Sequence, residues 1–133
     1  SDTDAVLFAN EAFYRAFADR DEAAMEDLWS VSEQVACLHP GWGPLFGREE
    51  VLSSWMAIIR NPESPAILAQ AAHANVYGDT AYVICFEEIA GNFLVATNVF
   101  VREGRVWKMV HHQAGLTSVR PDRVQQEPAG LVN

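Results

Sequence analysis

Four histidines (His39, His73, His111 and His112) and the helical Tyr14 are this chain's candidates for moving a proton or anchoring a ligand oxygen. His39 closes the apolar run VACL and is followed at once by Pro40, Gly41, Trp42 and Gly43. Turn chemistry favours small polar residues, so a large indole between two glycines stays only if something covers it. Trp42, with Phe46 behind it, is therefore expected to form an apolar wall at a pocket mouth. His39 beside it is either a general base or a strand-end histidine bonded to backbone. No HxH, HxxxH or ExxH spacing accompanies the histidines, which argues against a metal site.

Side-chain alternation assigns the rest. In VWKMVHHQAG, Lys108 shares a face with Val106, Val110 and His112, while Trp107, Met109, His111 and Gln113 share the other. A lysine rarely faces inward unpaired. Trp107, Met109, His111 and Gln113 are thus expected on the concave side and His112 on the outer face, unless a one-residue bulge reverses the order beyond it. With Arg102 taken as outward, Thr97, Val99 and Val101 become the inner set of their strand and Asn98 and Phe100 the outer. Both faces of that strand are apolar, so the facing of Asn98 stays open, as does that of His73, Glu87 and Glu88, although Glu87 and Glu88, being adjacent, must split between faces.

These residues need a scaffold, and the chain's punctuation supplies one. Residues 4–19 read as a helix capped by Thr3 or Asp4, and a short helix runs from Asp21 to Trp29. Val35 to His39 is a short strand. Gly47 opens a third helix, with Glu49 and Glu50 in its first turn and Val51, Leu52, Trp55, Ile58 and Ile59 on one face, until Asn61-Pro62 stops it. Four strand-like segments follow at 66–77, 80–90, 92–102 and 106–115, separated by one or two residues, as expected of hairpin neighbours in an antiparallel sheet. Helices first and a meander after is an α+β plan. Long strands twist and curl, so the three helices are expected in the concavity of a cone with one open end. Residues 1–120 read as one domain and 121–133 as a loose tail.

With 133 residues the chain can bury one core. Its 18 acidic against 9 basic residues give a net charge of −9, a poor match for nucleic acid or an anionic membrane. No window is long and apolar enough to span a bilayer, and the first residues carry acids where a secretory signal carries bases. A cytoplasmic setting is expected, with Cys37 and Cys85 as buried free thiols. Apolar residues on both faces of the strands call for a cover on each. The helices supply one, and a second copy of the chain, packed sheet to sheet, is expected to supply the other.

The phrases "CLHPGWG…GREEVLSSWMAI" and "ATNVFVREGRVWKMVHHQAG", in this order of elements, resemble the SnoaL-like branch of the nuclear transport factor 2-like (NTF2-like) superfamily over roughly residues 4–117. The resemblance implies a cystatin-like α+β barrel that often dimerises. Its relatives include polyketide cyclases and ketosteroid isomerases. An isomerase of the latter kind combines a carboxylate base, a helix-one tyrosine and a protonated carboxylic acid. Tyr14 lies on the right helix, but His39 stands where an acid would. The expected function is binding of a small apolar or aromatic molecule, with acid/base turnover (isomerase, cyclase or dehydratase type) that needs no cofactor. In it His39, His111 and Tyr14 are catalytic, and Trp42, Phe46, Trp55, Trp107, Met109 and Gln113 hold the ligand. The competing expectation is a non-catalytic dimerising module with a filled pocket.

Overall fold

The computed structural model describes residues 1–122; the expected loose tail lies, beyond Asp122, outside the described residues. Helix α1 spans Asp2–Ala18, with Ser1 rather than Thr3 or Asp4 as its cap: the Ser1 hydroxyl accepts from the Asp4 backbone N–H. Helix α2, Glu22–Leu28, is capped by Asp21, which accepts from the Ala24 N–H. Strands β1 (Ala36–Leu38) and β2 (Leu45–Phe46) flank the Trp42 loop, and α3 covers Arg48–Arg60. Gly47, with φ +88°, turns the chain into α3 in a conformation that side-chain-bearing residues adopt only with strain. Strands β3 (Leu68–Tyr77), β4 (Thr80–Ile89), β5 (Asn92–Glu103) and β6 (Val106–Thr117) complete the chain. No helix among the described residues is long and apolar enough to cross a membrane.

The six strands form one curved open sheet in the order β2-β1-β6-β5-β4-β3. The meander is antiparallel as expected, but the sheet is mixed, because β1 runs parallel to β6 with Cys37 opposite His112. Local sequence cannot encode that pairing, since it joins segments about half the chain apart. The approach is pinned earlier: Ser30 N–H donates to Met109 O at 2.9 Å. Cys37 and Cys85 lie on strands separated by β5 and β6, and both are free and buried.

The helices fill the concave side. Val6, Phe13 and Phe17 of α1 and Val51, Trp55 and Ile59 of α3 meet Val83, Cys85, Ala96 and Phe100 of the sheet. Two arginines fasten the helical layer. Arg20 donates to the Ile59, Asn61 and Ser64 carbonyls, closing the C-terminal end of α3. Arg48 donates to the carbonyls of Glu26, Trp29 and Ser30 at 2.7–3.0 Å, tying the start of α3 to the chain leaving α2.

Two irregularities reset the facing of strands. Between β5 and β6, Val99 pairs with His111 and Phe100 with Met109, so Val110 is the extra residue of a bulge. Trp107 and Met109 point inward as expected. Beyond the bulge the order reverses, so His112 and Ala114 are buried, and His111 and Gln113 lie on the outer face. In β5 the inner set is Leu94, Ala96, Asn98 and Phe100, the opposite of the expectation from Arg102. Arg102 shares their side of the strand but reaches the rim, where it pairs with Asp2 and Asp79 and lies over Trp107 at 5.1 Å. An arginine at a strand end satisfies its charge at the edge of the concave layer, so it does not mark the outer face. In β3 a second irregularity between Gln70 and His73 includes Ala71 at φ +56°.

Replacing Arg48 by Met keeps the stem and removes the donors. We expect a loss of about 2 kcal/mol, the scale of hydrogen bonds from a charged group to carbonyls that lose their partner. The check is urea unfolding, with a lower midpoint at unchanged m-value.

Candidate functional site

Five polar side chains meet under α1, inside an otherwise apolar layer. Asn10 and Tyr14 sit one turn apart on the buried face of α1. Glu87 comes from β4, Asn98 from β5 and His112 from β6, with Asn98 and His112 directly opposite each other. All five are buried, and Glu87 retains only 2% exposure. The Tyr14 hydroxyl donates to Glu87 Oε2 at 2.6 Å and accepts from Asn98 Nδ2 at 3.1 Å. Asn98 Nδ2 also donates to Asn10 Oδ1 at 2.8 Å. That fixes Asn98 Oδ1 as an acceptor, so the proton of the 2.5 Å contact with His112 belongs to His112 Nδ1. His112 Nε2 then carries a lone pair, 3.9 Å from Glu87 Oε2. The Cys85 thiol completes the group, 3.3 Å from the Tyr14 oxygen.

Among the described residues no lysine or arginine side chain pairs with this cluster. Burial pulls His112 down to about 3, helped by His39 and His111, so its imidazole is neutral at pH 7. Burial raises the Glu87 carboxyl above its ordinary range, against the pull of the Tyr14 hydrogen bond. Burial, and then the Glu87 charge, push the Tyr14 phenol well above its usual value. The result is a weak-acid relay. When Glu87 is ionised, Tyr14 donates to it. When Glu87 is protonated it can donate to Tyr14 and release the phenol O–H toward another oxygen.

An open groove of about 630 Å³ between α1 and β3 reaches this cluster. Leu7, Ile67 and Leu68 give it apolar sides, and Asn10 and Tyr14 lie among its lining residues.

The expected site resolves into separate places. His39 is buried, with Nε2 2.9 Å from Ser54 Oγ. Ser54 gives its own proton to the Val51 carbonyl at 2.7 Å, so His39 donates and Ser54 accepts, an arrangement that activates no nucleophile. Burial brings His39 down to about 4. Its ring packs edge-on between Trp42 and Trp55, at 4.8 and 4.7 Å. Trp55 also meets His112 at 5.6 Å and Phe13 at 5.1 Å, filling the space between His39 and the Tyr14 cluster. Its Nε1 finds no oxygen or nitrogen acceptor. Trp42 and Phe46 wall an open groove on α3 rather than lid a closed pocket, and both are largely exposed. Trp107 and Met109 pack into the core toward the β5–β6 turn. His111 and Gln113, expected in the pocket, are outside it because of the bulge at Val110, and His73 is exposed on the outer face opposite Ile84. Asn10, Glu87, Asn98 and His112 were not selected by sequence reasoning; only the forced split of Glu87 and Glu88 pointed toward one of them. Among the described residues no three His, Cys, Asp or Glu side chains converge as metal ligands.

The profile of the SnoaL-like domain matches residues 6–117. The chain belongs to the SnoaL-like family. Among solved structures, this SnoaL-like chain is similar to a provisionally assigned dehydratase of the NTF2-like family from Streptomyces avermitilis. That pair shares 36% identity over 89% of this chain and 97% of the other, with a TM-score of 0.80. A provisionally assigned calcium/calmodulin-dependent protein kinase type II association domain from Thiobacillus denitrificans is 32% identical, over 83% and 93% of the two chains, with a TM-score of 0.75. The F-box protein SKIP8 of Arabidopsis thaliana is 29% identical over 92% of this chain, and the chain spans about half (54%) of that relative's length.

The buried imidazoles make stability depend on pH. In the unfolded chain a histidine takes its proton near pH 6.5, whereas folded His39 and His112 refuse it until about 4 and about 3. The unfolded state therefore binds more protons in this window, and stability falls as pH drops below 6.5, by at most about 1.4 kcal/mol per pH unit for each histidine. Glu87 acts in the opposite sense, because its folded carboxyl keeps a proton the unfolded one has lost, so its contribution declines as pH rises. Thermal unfolding at pH 7 and pH 5 should show a lower melting point at pH 5, and His39→Gln should reduce that difference by about half.

Proposed function

We propose that this SnoaL-like domain binds a small, mostly apolar molecule carrying a carbonyl or phenolic oxygen in the α1–β3 groove, and that Tyr14 and Glu87 do the acid half of a cofactor-independent isomerisation or dehydration. The single observation that carries this reading is the Glu87 carboxyl. It is buried without a lysine or arginine partner among the described residues, and is hydrogen-bonded by a tyrosine that lies in the lining of a groove large enough for a small ligand. A buried carboxyl with only neutral partners costs stability, and a purely structural core would be better served by an apolar residue. In the protonated state Glu87 donates to the Tyr14 oxygen, and Tyr14 donates to the ligand oxygen. Proton delivery to a carbonyl oxygen or a departing hydroxyl follows the same path. In this reading Tyr14 acts with Glu87 rather than with the His39 and His111 pair expected from the sequence, and His39, bonded to Ser54, supports Trp42 and Trp55.

The test uses 2-naphthol, an apolar phenol, titrated calorimetrically. Tyr14→Phe should weaken binding by roughly ten-fold or more, the scale of one lost hydrogen bond in a dry site. Glu87→Gln, which keeps a donor for Tyr14, should weaken it less. Binding that Tyr14→Phe leaves unchanged would sink the proposal.

A second reading stands beside it on a separate observation. The convex face of the sheet is apolar and uncovered: Tyr77 and Tyr82 stack at 6.3 Å, Ile84 is exposed, and Thr97, Val99 and Val101 are half-buried. A homodimer packed through this face would cover it, and the similarity to an association domain supports that reading. The two free thiols support a reducing, cytoplasmic setting. In sedimentation equilibrium the wild type is expected to be a dimer and Val99→Arg a monomer; a wild type that sediments as a monomer rules the dimer out.

A further inference from the structure

The loop around Trp42, which the acid/base reading leaves without a task, has the chemistry of a different site. We propose that the groove between the Trp42–Phe46 loop and α3 binds an organic cation, a quaternary or protonated amine. The groove has a volume of about 660 Å³. Trp42 is 52% and Phe46 67% exposed, and both stand in its wall. Glu33, Glu49 and Glu50 line it as well, and among the described residues no basic side chain does. The basic residue of this segment, Arg48, is held away on the carbonyls of Glu26, Trp29 and Ser30. Aromatic faces bordered by carboxylates favour a cation with an apolar shell. The ring quadrupole attracts the charge, the carboxylates supply its counter-charge, and the methyl or methylene groups cover the exposed rings.

The platform is fixed in advance. Trp42 N–H donates to His39 O at 3.0 Å, and its ring packs against the His39 imidazole. Glu50 Oε2 accepts from the Phe46 backbone N–H at 3.2 Å, which ties the backbone carrying the second ring to the first turn of α3. His39, kept neutral by burial, adds no positive charge to compete with the ligand at pH 7. A neutral aromatic ligand would make no use of the three carboxylates, and an anion would be repelled by them.

Trp29, Trp55 and Trp107 are buried, so a solute that alters tryptophan emission from the solvent side reports on Trp42. The probe is choline, compared with its uncharged carbon isostere 3,3-dimethylbutan-1-ol. Choline should change the emission saturably, and the isostere should bind roughly ten-fold more weakly or not at all. Trp42→Phe should remove the signal. The exposed triple variant Glu33→Gln/Glu49→Gln/Glu50→Gln, followed by the same Trp42 emission, should bind choline roughly ten-fold more weakly. No saturable response of the wild type to choline, equal binding of choline and the isostere, or an unchanged affinity in the triple variant overturns the proposal. The wild-type comparison of the two probes stands even if a variant fails to fold. Because neither probe carries a phenol or carbonyl, the outcome is independent of the Tyr14 groove.

Discussion

The extra residue at Val110 decides what the interior of this domain contains. Without it, alternation would carry His111 and Gln113 inward and place His112 on the convex side. With it, His112 is set across from Asn98, and the two close a chain of hydrogen bonds through Tyr14 to Glu87. A bulge costs one ladder position and strengthens the local twist. Here it also brings His112 to the four polar side chains that α1, β4 and β5 already place inside. The same twist suits a sheet that must curve around α1 and α3.

Once those groups are inside, burial governs their behaviour. A histidine, a carboxyl and a phenol in one dry cluster cannot all carry their customary charges. Each is displaced toward neutrality, the imidazole downward and the two acids upward. Asn98 makes the arrangement tolerable because an amide both donates and accepts, giving to Asn10 and Tyr14 through Nδ2 and taking from His112 through Oδ1. Trp55 then isolates this cluster from His39. His39 and His112 are thus separated by an indole and serve different surroundings, while His111, the histidine that sequence reasoning paired with His39, lies on the outer face.

The elements themselves were legible. Capping at Asp21, the stop at Asn61-Pro62 and hairpin breaks of one or two residues are local signals, and each marks a boundary close to the observed one. The site was less legible because it depends on facing. β5 is apolar on both sides, so alternation alone offers two equal answers, and the choice was made on Arg102, whose long side chain reaches a rim pairing from the concave side. The bulge at Val110 leaves no mark in the sequence VWKMVHHQAG, where nothing resembling a glycine or proline break occurs until after His112. The parallel pairing of β1 with β6 and the two-residue strand β2 are likewise products of tertiary packing.

The sheet is open, and each of its two edges is spoiled in its own way. At one, β2 is only two residues long, and the Phe46 N–H is engaged by Glu50. At the other, β3 is interrupted at Ala71, where the backbone leaves the extended region. The regular part of the β3 border is thereby shortened to the five residues from His73 to Tyr77. A strand from outside could follow either border only briefly before the pairing geometry fails, a feature that disfavours ribbon-like stacking of sheets.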